Sequence, residues 1–162
     1  MDGMSSWSET EEEAPELAAA VRGRFEAHGM GLLATLRRDG APRISGIEPL
    51  FALGELWLGM MPGSLKSADL RRDPRLALHS ATVDKDVREG DAKIAGRAVE
   101  ITAEAVRQEY LAALAAATGF EPEGCDVYRV EVTGLSLVKP EDDHLDIRAW
   151  SEGGRPRLIQ RS

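Results

Sequence analysis

Ser64 and Lys66 are the two residues whose type and spacing point most directly to chemistry. They lie in the segment GMMPGSLKSADLRRDPRLALHS, residues 59–80, where LKSADLRR predicts a short helix. Serine is a favourable N-cap, but a lysine in the first helical turn opposes the positive N-terminal end of the helix dipole. Free amides, a hydroxyl and an ammonium group at a helix start are the donors that bind a phosphate or another anion.

The local charge supports such an anion site, although a simpler explanation stays open. The segment carries more cations than anions in a chain of net charge -8, namely Lys66, Arg71, Arg72 and Arg75 against Asp69 and Asp73. Alternatively, Ser64 only caps the helix and Lys66 is a solvated surface cation, since capped helices that carry lysine are common. The residues alone do not choose between these two interpretations.

Other catalytic and metal-binding patterns are absent from the sequence. His28, His79 and His144 lack the short spacing of a zinc site, and EDDHLD at 141–146 is typical of a polar turn. Cys125 is the only cysteine, which excludes an intrachain disulfide and a thiol-only metal site. There is no Gly-x-Ser-x-Gly hydrolase elbow and no Rossmann or Walker glycine pattern. We therefore predict no metal site, and any nucleotide-like ligand must bind in another geometry.

The N-terminal half predicts a tail, a helix and a meander of strands. Residues 1–13 are acidic and lack periodicity, which is typical of a disordered tail. Apolar residues recur every four positions over 14–28 and predict an amphipathic helix that covers a core. Turn signals at Asp39-Gly40 and Leu53-Gly54 separate three apolar-rich runs, which predict strands at 31–37, 42–52 and 55–60. Because proline cannot donate to a ladder, the middle strand should bulge near Pro49.

The C-terminal half adds four predicted strands and one helix. The strands are RLALHS, AKIAGRAVEI, DVYRVEVTGLSLVK and HLDIRAW, with bulges expected at Gly96 and Gly134. Thr102 is expected to cap the helix, which ends at Gly119, and the chain finishes in a Gly-rich basic segment. Strands outnumber helices and follow one another through tight turns, which favours an antiparallel barrel over alternating βαβ units. We predict a mainly β fold with flanking helices and a single domain over 14–162.

Composition limits the partners that such a domain can have. The chain has 162 residues and a net charge of -8, which argues against a surface that neutralises nucleic-acid phosphates. No apolar run approaches the ~20 residues that span a bilayer, so we expect no membrane association. The single cysteine and the absence of a signal-peptide pattern favour the cytoplasm.

Two stretches resemble the flavin-binding split-barrel proteins related to pyridoxamine 5'-phosphate oxidase. The strand and Ser-x-Lys-x-x-x-Leu-x-x-Asp-Pro-Arg pattern in GELWLGMMPGSLKSADLRRDPRLALHS looks like the phosphate-binding segment of that family. The hairpin GLLATLRRDGAPRISGIEPLF matches the family's Thr-Leu-x-x-Asp-Gly-x-Pro, and GDAKIAGRAVEI continues the similarity to about residue 101.

The resemblance implies a six- to seven-stranded split barrel that forms a homodimer, with two cofactor sites at the subunit interface. Ser64 and Lys66 would then hold the cofactor phosphate, and Arg43 and Ser45 would approach the ribityl chain or the ring. The remaining residues implied by position are Met60 and Met61 beside the isoalloxazine, further candidates His79, Ser80 and Lys93, and, from the partner subunit, Trp150 and Arg155.

The function implied is hydride transfer to or from a small molecule by an oxidoreductase that uses FMN or, alternatively, the deazaflavin F-420. We do not expect pyridoxamine phosphate oxidase activity, because the Arg-Gln-Val-Arg and Arg-Leu-His-Asp-Arg segments of those enzymes are missing and RLIQRS is the nearest string. Two alternatives to the enzyme are a non-catalytic split barrel that binds a flavin, or one that holds haem at His79 or His144. A third is a structural dimer with no ligand at Ser64.

Overall fold

The computed structural model describes residues 5–162 and consists mainly of antiparallel strands. Its elements in chain order are α1 (Trp7–Glu13), α2 (Pro15–Glu26), β1 (Gly31–Leu36), β2 (Pro42–Ile47), β3 (Leu50–Ala52), β4 (Glu55–Met60), α3 (Leu65–Arg72), β5 (Arg75–Ser80), β6 (Asp91–Glu100), α4 (Glu104–Thr118), β7 (Asp126–Pro140), β8 (Leu145–Ser151) and β9 (Arg157–Arg161). The mainly β fold with flanking helices, predicted from the sequence, is confirmed.

The strands of residues 5–162 join in one sheet that branches at β7. The main path runs β2-β1-β5-β6-β7-β4-β3, while β8 pairs with β7 and carries β9 on its other edge. Strand β7 pairs with β6 along most of its length, with β4 near its start and with β8 from Gly134 onward. The register between β6 and β7 shifts at Ala95/Gly96, beside Gly134, as the two glycines predict.

Tight turns and a proline fix the strands that lead to α3. Both residues of the β3–β4 turn, Leu53 and Gly54, have positive φ, which is the geometry of a type I′ hairpin. The predicted strand at 42–52 is divided into β2 and β3 by Glu48 and Pro49, because proline cannot continue the ladder. This division raises the number of strands above the expected seven and leaves Glu48 at a bend.

Two groups of buried side chains form the core. The larger group joins the inner face of the sheet to α1 and α2 and includes Trp7, Leu33 and Trp150. The smaller one lies under α4 and contains Trp57, Tyr110, Cys125 and Val127. Trp57 is therefore a core residue.

The prediction of a disordered tail is wrong for residues 5–13, while residues 1–4 lie outside the described residues. Ser6 and Glu9 form a capping box, in which each side chain bonds the backbone amide of the other residue, and this starts α1. Trp7 is 1% exposed and its ring lies 4.6 Å from that of Phe51. The apolar surface that Trp7 buries fixes a helix that the acidic composition conceals.

Two further expectations about element ends are corrected. Helix α4 has Ala103, not Thr102, as its N-cap and lacks a side-chain cap, whereas Gly119 ends it with φ 74° as predicted. The Gly-rich basic C-terminus contains strand β9, whose residues are all exposed and which pairs with β8 alone among residues 5–162. Because β9 buries little, its sequence lacks the alternation that marks a strand.

Candidate functional site

The start of helix α3 presents unpaired backbone amides directly after strand β4. Gly63 has φ +69° and turns the chain, and Ser64 is the N-cap whose hydroxyl accepts a long hydrogen bond from the Ser67 amide at 3.4 Å. Within residues 5–162, the amides of Leu65 and Lys66 have no hydrogen-bond acceptor. Such amides, aligned with the helix dipole, are suited to an anion.

The side chain of Lys66 bridges the start of α3 and the end of strand β2. Its Nζ donates to the Gly46 carbonyl at 3.1 Å. Ser45, next to Gly46 on β2, is half-buried and lies opposite Leu33 of β1 in the sheet register. The two segments of the sequence that predict cofactor contacts therefore meet in the structure, at Ser64–Lys66 and Arg43–Ser45.

Asp69 fixes the middle of α3 to strands β1 and β2. It is 3% exposed, and its Oδ2 accepts hydrogen bonds from Arg43 Nε at 2.6 Å and Thr35 Oγ1 at 2.9 Å. Its Oδ1 accepts from Arg72 Nη2 at 2.9 Å. Burial alone would raise the pKa of Asp69, but the hydrogen bonds from Arg43, Arg72 and Thr35 outweigh burial and lower the pKa. The carboxylate therefore stays ionised and holds the Arg43 guanidinium in place.

A second network fixes the start of α3 to strand β7. Ser67, which is fully buried, has its Oγ 2.6 Å from Asp126 Oδ2 and 2.7 Å from Tyr128 Oη. The same Asp126 oxygen accepts the Gly63 amide at 3.1 Å, and Arg71 Nη2 lies 3.2 Å from the other oxygen. Burial would raise the pKa of Asp126, but bonds from Ser67 and Gly63 and the charge of Arg71 lower it. An ionised carboxylate thus lies at the N-terminal end of the helix.

A cleft of about 430 Å³ opens beside Lys66. Its walls come from the ends of β2 and β4, from α4 and from the segment that follows α4, and include Met30, Glu48, Met60, Tyr110, Leu114 and Phe120. Met60 is buried whereas Met61 is 79% exposed at the cleft edge. The cleft is therefore apolar along most of its length, with one cation at its Lys66 end.

Two titratable groups in the cleft wall are kept neutral by their surroundings. Burial raises the pKa of Tyr110, and nearby Cys125 and Glu48 raise it further. Burial also raises the pKa of the Cys125 thiol. Because the thiolate is the reactive form, Cys125 is a structural residue rather than a nucleophile.

His79, Ser80 and Lys93 do not line this cleft, although His79 lies level with Gly46, two strands across the sheet. Ser80 is 1% exposed and its Oγ accepts the Ala92 amide at 3.0 Å, which makes it a structural residue in this conformation. His79 Nδ1 donates to the Ser80 carbonyl at 2.6 Å, and His79 pairs in register with the exposed Lys93. Any ligand contact by His79 or Lys93 belongs to the outer face of the sheet, whereas Ser80 points to the inner face.

The expectation for Trp150 is corrected by its burial. Trp150 is 1% exposed within the main core, so its side chain packs inside its own chain and is not available to a cofactor outside it. Arg155, by contrast, is exposed in the β8–β9 connection and is free to reach beyond its own subunit.

No helix among residues 5–162 is long and apolar enough to cross a bilayer.

The residues that hold the site together are the ones that sequence reasoning missed. Ser67, Asp69 and Asp126 carry both networks, but their partners are 26 to 63 positions away in the chain. Only the spacing of Asp69 and Arg72, three residues apart on a predicted helix, gave a local signal. Glu48 and Tyr110 were also missed, since nothing in the sequence places the β2–β3 bend beside α4.

Comparisons with solved structures show which proteins have this fold. A pyridoxamine 5'-phosphate oxidase-related, FMN binding protein from Nostoc punctiforme is 11% identical over 90% of this chain and 95% of its own, with a TM-score of 0.66. PhzG from Burkholderia lata, solved with tetrahydrophenazine-1-carboxylic acid, is 14% identical over 91% and 92%, with a TM-score of 0.63. A heme binding protein from Mycobacterium smegmatis is 23% identical over 87% and 57%, with a TM-score of 0.55. The split-barrel architecture is thereby confirmed.

Comparison at the level of sequence identifies the family. No curated protein matches the chain. A family model described as pyridoxamine 5'-phosphate oxidase matches residues 17–139, which include α3, both of its networks and most of the cleft wall. The chain belongs to the pyridoxamine 5'-phosphate oxidase family.

Proposed function

We propose that this protein is a homodimeric oxidoreductase that binds FMN by its phosphate at the start of helix α3 and transfers hydride to or from a small molecule. The observation that carries the proposal is the set of donors around Ser64. The unpaired amides of Leu65 and Lys66, the Ser64 hydroxyl and the Lys66 ammonium group belong to one helix start, beside an apolar cleft. That combination suits a ligand with an anionic end and a flat apolar body.

The residues present fit the phosphate and the chain of FMN. Arg43 donates through Nε to Asp69, while its two terminal nitrogens have no hydrogen-bond partner within residues 5–162. The side chain is partly exposed, so those nitrogens and the nearby Ser45 hydroxyl are available to polar groups of the ribityl chain. We assign Ser64 and Lys66 to the phosphate, and Arg43 and Ser45 to the chain.

The apolar cleft wall fits the ring of the cofactor. We assign Met60 and Met61 to its flank, where Met60 forms part of the buried floor and Met61 the exposed edge. Bound FMN would supply the hydride chemistry. The chain would orient the cofactor through α3, keep water away with apolar side chains, and leave the Cys125 thiol inert.

The outer face of the sheet supports the homodimer. Leu32 and Ile44 on neighbouring strands β1 and β2 are 47% and 70% exposed, an unusual pair of apolar side chains for a free sheet surface. His79 and Lys93 lie on the strands that continue this face. We propose that a second copy covers it, and that His79, Lys93 and Arg155 contact the cofactor or the partner from there. The unpaired Cys125 fits action in the cytoplasm.

Two observations bear on the alternative ligands. An F-420 tail would need a basic patch, but Arg71 is paired with Glu100 and Asp126, Arg72 with Asp69, and Arg75 with Asp73. These pairs favour FMN. Haem would need a free histidine in a cavity, whereas both ring nitrogens of His144 contact Asp143 and Asp146, and neither His79 nor His144 lines the cleft.

The deciding experiment is cofactor retention. Purified protein is mixed with FMN, F-420 or haemin and desalted, and its visible spectrum is recorded. The affinity for FMN is then measured for wild type, for Lys66→Ala and for the surface control Lys85→Ala. We expect about one FMN per subunit. The binding free energy of FMN should weaken by about 1.5–3 kcal/mol in Lys66→Ala and not in Lys85→Ala, because only Lys66→Ala removes a charge-assisted contact. A Soret band with haemin, or equal FMN affinity in all three proteins, would contradict the assignment.

Catalysis is tested separately from binding. The FMN-loaded protein is given NADH or NADPH under anaerobic conditions, and bleaching of the flavin absorption is followed. Reduction that is faster than for free FMN supports an oxidoreductase. Retention of FMN without any accelerated reduction supports the non-catalytic binder instead.

A further inference from the structure

The cleft beside Lys66 continues into a second hollow of opposite electrostatic character. This hollow, of about 650 Å³, shares Glu48, Leu114 and Phe120 with the cleft and extends it along the β2–β3 bend toward α2. Its other walls include the apolar residues Leu50 and Phe51. A ligand whose anionic end lies at Lys66 therefore leaves an adjoining apolar space with Glu48 at its border.

The charged side chains of the second hollow are all acidic. The described residues that line it include Glu26 and Glu48 and no lysine, arginine or histidine. Glu26 is neutralised by Arg22, whose Nε donates to its carboxylate at 2.8 Å. Glu48 is exposed and has no ion-pair or hydrogen-bond partner among residues 5–162, so no protein cation is paired with its negative charge.

An unpaired hydroxyl lies in the wall of the cleft that Glu48 also lines. Tyr110 is 2% exposed, lines the cleft, and its Oη has no hydrogen-bond partner within residues 5–162. It reaches this place because position 59 is glycine: a Cβ on Gly59 would lie 2.1 Å from Tyr110 Oη. An O–H held at a cleft wall without a protein acceptor is available to a ligand.

We propose that the region between Glu48 and Tyr110 is the substrate subsite, that it takes a small aromatic or aliphatic amine, and that Glu48 is its specificity-determining residue. This inference rests on the proposed function, in which the cofactor phosphate occupies the Lys66 end. The apolar body of the amine packs against Leu114 and Phe120, its ammonium group faces Glu48, and Tyr110 donates a hydrogen bond to an acceptor on the same molecule. A carboxylate of the same size binds more weakly, because Glu48 repels it and the residues that line the cleft include no second cation.

The test compares three probes that share one apolar body and differ in charge. Naphthalen-2-ylmethanamine, naphthalen-2-ylmethanol and naphthalene-2-carboxylate are titrated calorimetrically into the full chain with and without FMN. Wild type, Glu48→Gln, Glu48→Lys and the matched control Glu12→Gln are used. Glu12 is an exposed acid on α1, so Glu12→Gln removes the same charge far from the cleft.

We expect wild type and Glu12→Gln to bind the amine about tenfold more tightly than the carboxylate, the size of a partly solvated charge contact. In Glu48→Gln the ratio falls toward one, and in Glu48→Lys the order reverses. Because Glu48 is exposed, these variants should keep the wild-type circular dichroism spectrum. Equal binding of amine and carboxylate by wild type, no binding of the amine, or an unchanged ratio in Glu48→Gln would overturn the inference.

The outcomes also separate this inference from the proposed cofactor. If the protein fails to retain FMN but shows a Glu48-dependent preference for the amine, the amine subsite stands and the cofactor assignment is wrong. If FMN is retained and the preference is missing, the cofactor assignment stands and the amine subsite is wrong.

Discussion

Replacing Asp69 by asparagine tests whether the buried carboxylate holds helix α3 to the barrel. Asparagine keeps the shape but removes the charge, so Arg43 and Arg72 each lose a charge-assisted bond, worth about 1.5–3 kcal/mol when buried. Their side chains are 21% and 33% exposed, so water recovers part of this energy. We expect the free energy of unfolding to fall by about 2–4 kcal/mol, equivalent to roughly 4–16 °C in Tm for a chain of this size.

The assay is urea unfolding followed by tryptophan fluorescence at pH values from 7 to 3. The folded pKa of Asp69 is lowered below its unfolded value of about 3.9, so its stabilising contribution is complete above that pH. The contribution is lost as the pH falls through the folded pKa. The difference between wild type and Asp69→Asn should therefore be constant from pH 7 to about 4 and shrink below it.

The control for this prediction is Asp86→Asn, which removes an exposed carboxylate 3.4 Å from Arg88. Exposed ion pairs contribute little, so stability should change by less than about 1 kcal/mol. If Asp69→Asn behaves like this control, or if its deficit grows on acidification, the Asp69 network does not stabilise α3 in the way described.

Three further predictions address the cleft wall and the N-terminal helix. In Gly59→Ala the free energy of unfolding, measured in urea, should fall by about 1–3 kcal/mol, because the new Cβ meets Tyr110. In Gly23→Ala, on an open helical surface, it should rise by up to ~1 kcal/mol. Trp7→Ala should lower the free energy of unfolding by about 3–5 kcal/mol and expose the α1 amides to hydrogen exchange. Unchanged stability would show that α1 does not pack on the core. The Cys125 thiol, whose pKa is raised by burial, should react with a thiol reagent at pH 7 only slowly until urea unfolds the chain, and rapid reaction in the native state would contradict this.

The parts of the fold that the sequence predicts well are those specified by local chemistry. Helix α3 follows from a serine cap and an Asp-Pro stop, and the β3–β4 hairpin from Leu53-Gly54, since each signal acts within a few residues. The bulge between β6 and β7 follows in the same way from Gly96 and Gly134.

The predictions from the sequence were wrong where burial in the folded protein, rather than local composition, decides whether a segment is ordered. Helix α1 is acidic, yet one buried tryptophan and a capping box at Ser6 and Glu9 suffice to order it. Strand β9 shows the reverse case, because an exposed edge strand needs no apolar alternation and leaves no pattern to detect. The deciding contact for Trp7 is with Phe51, far away in the chain, whereas β9 pairs with the preceding strand β8.

Only part of the candidate site is visible in the sequence, for the same reason. The donors at Ser64 and Lys66 lie within three residues and are visible in the sequence, whereas Glu48 and Tyr110 meet only because a β-bend and a distant helix share one cleft. The charges that line a cleft between two distant segments cannot be deduced from either segment alone. The proposed substrate end of the cleft is therefore less predictable from sequence than the proposed phosphate end, where one helix start supplies most of the donors.

The unfavourable interaction between the Lys66 charge and the dipole of helix α3 is offset by groups from outside the helix. Asp126 brings a carboxylate to the Gly63 amide, and Lys66 donates to the Gly46 carbonyl on β2. A charge near a helix end contributes only about 0.3–1 kcal/mol at an exposed surface, so these contacts suffice to tolerate the lysine without a ligand. The position of Lys66 alone therefore does not identify a phosphate site. Every helix has free amides in its first turn, so the feature that favours an anion here is the combination of the Leu65 and Lys66 amides with the Lys66 ammonium group.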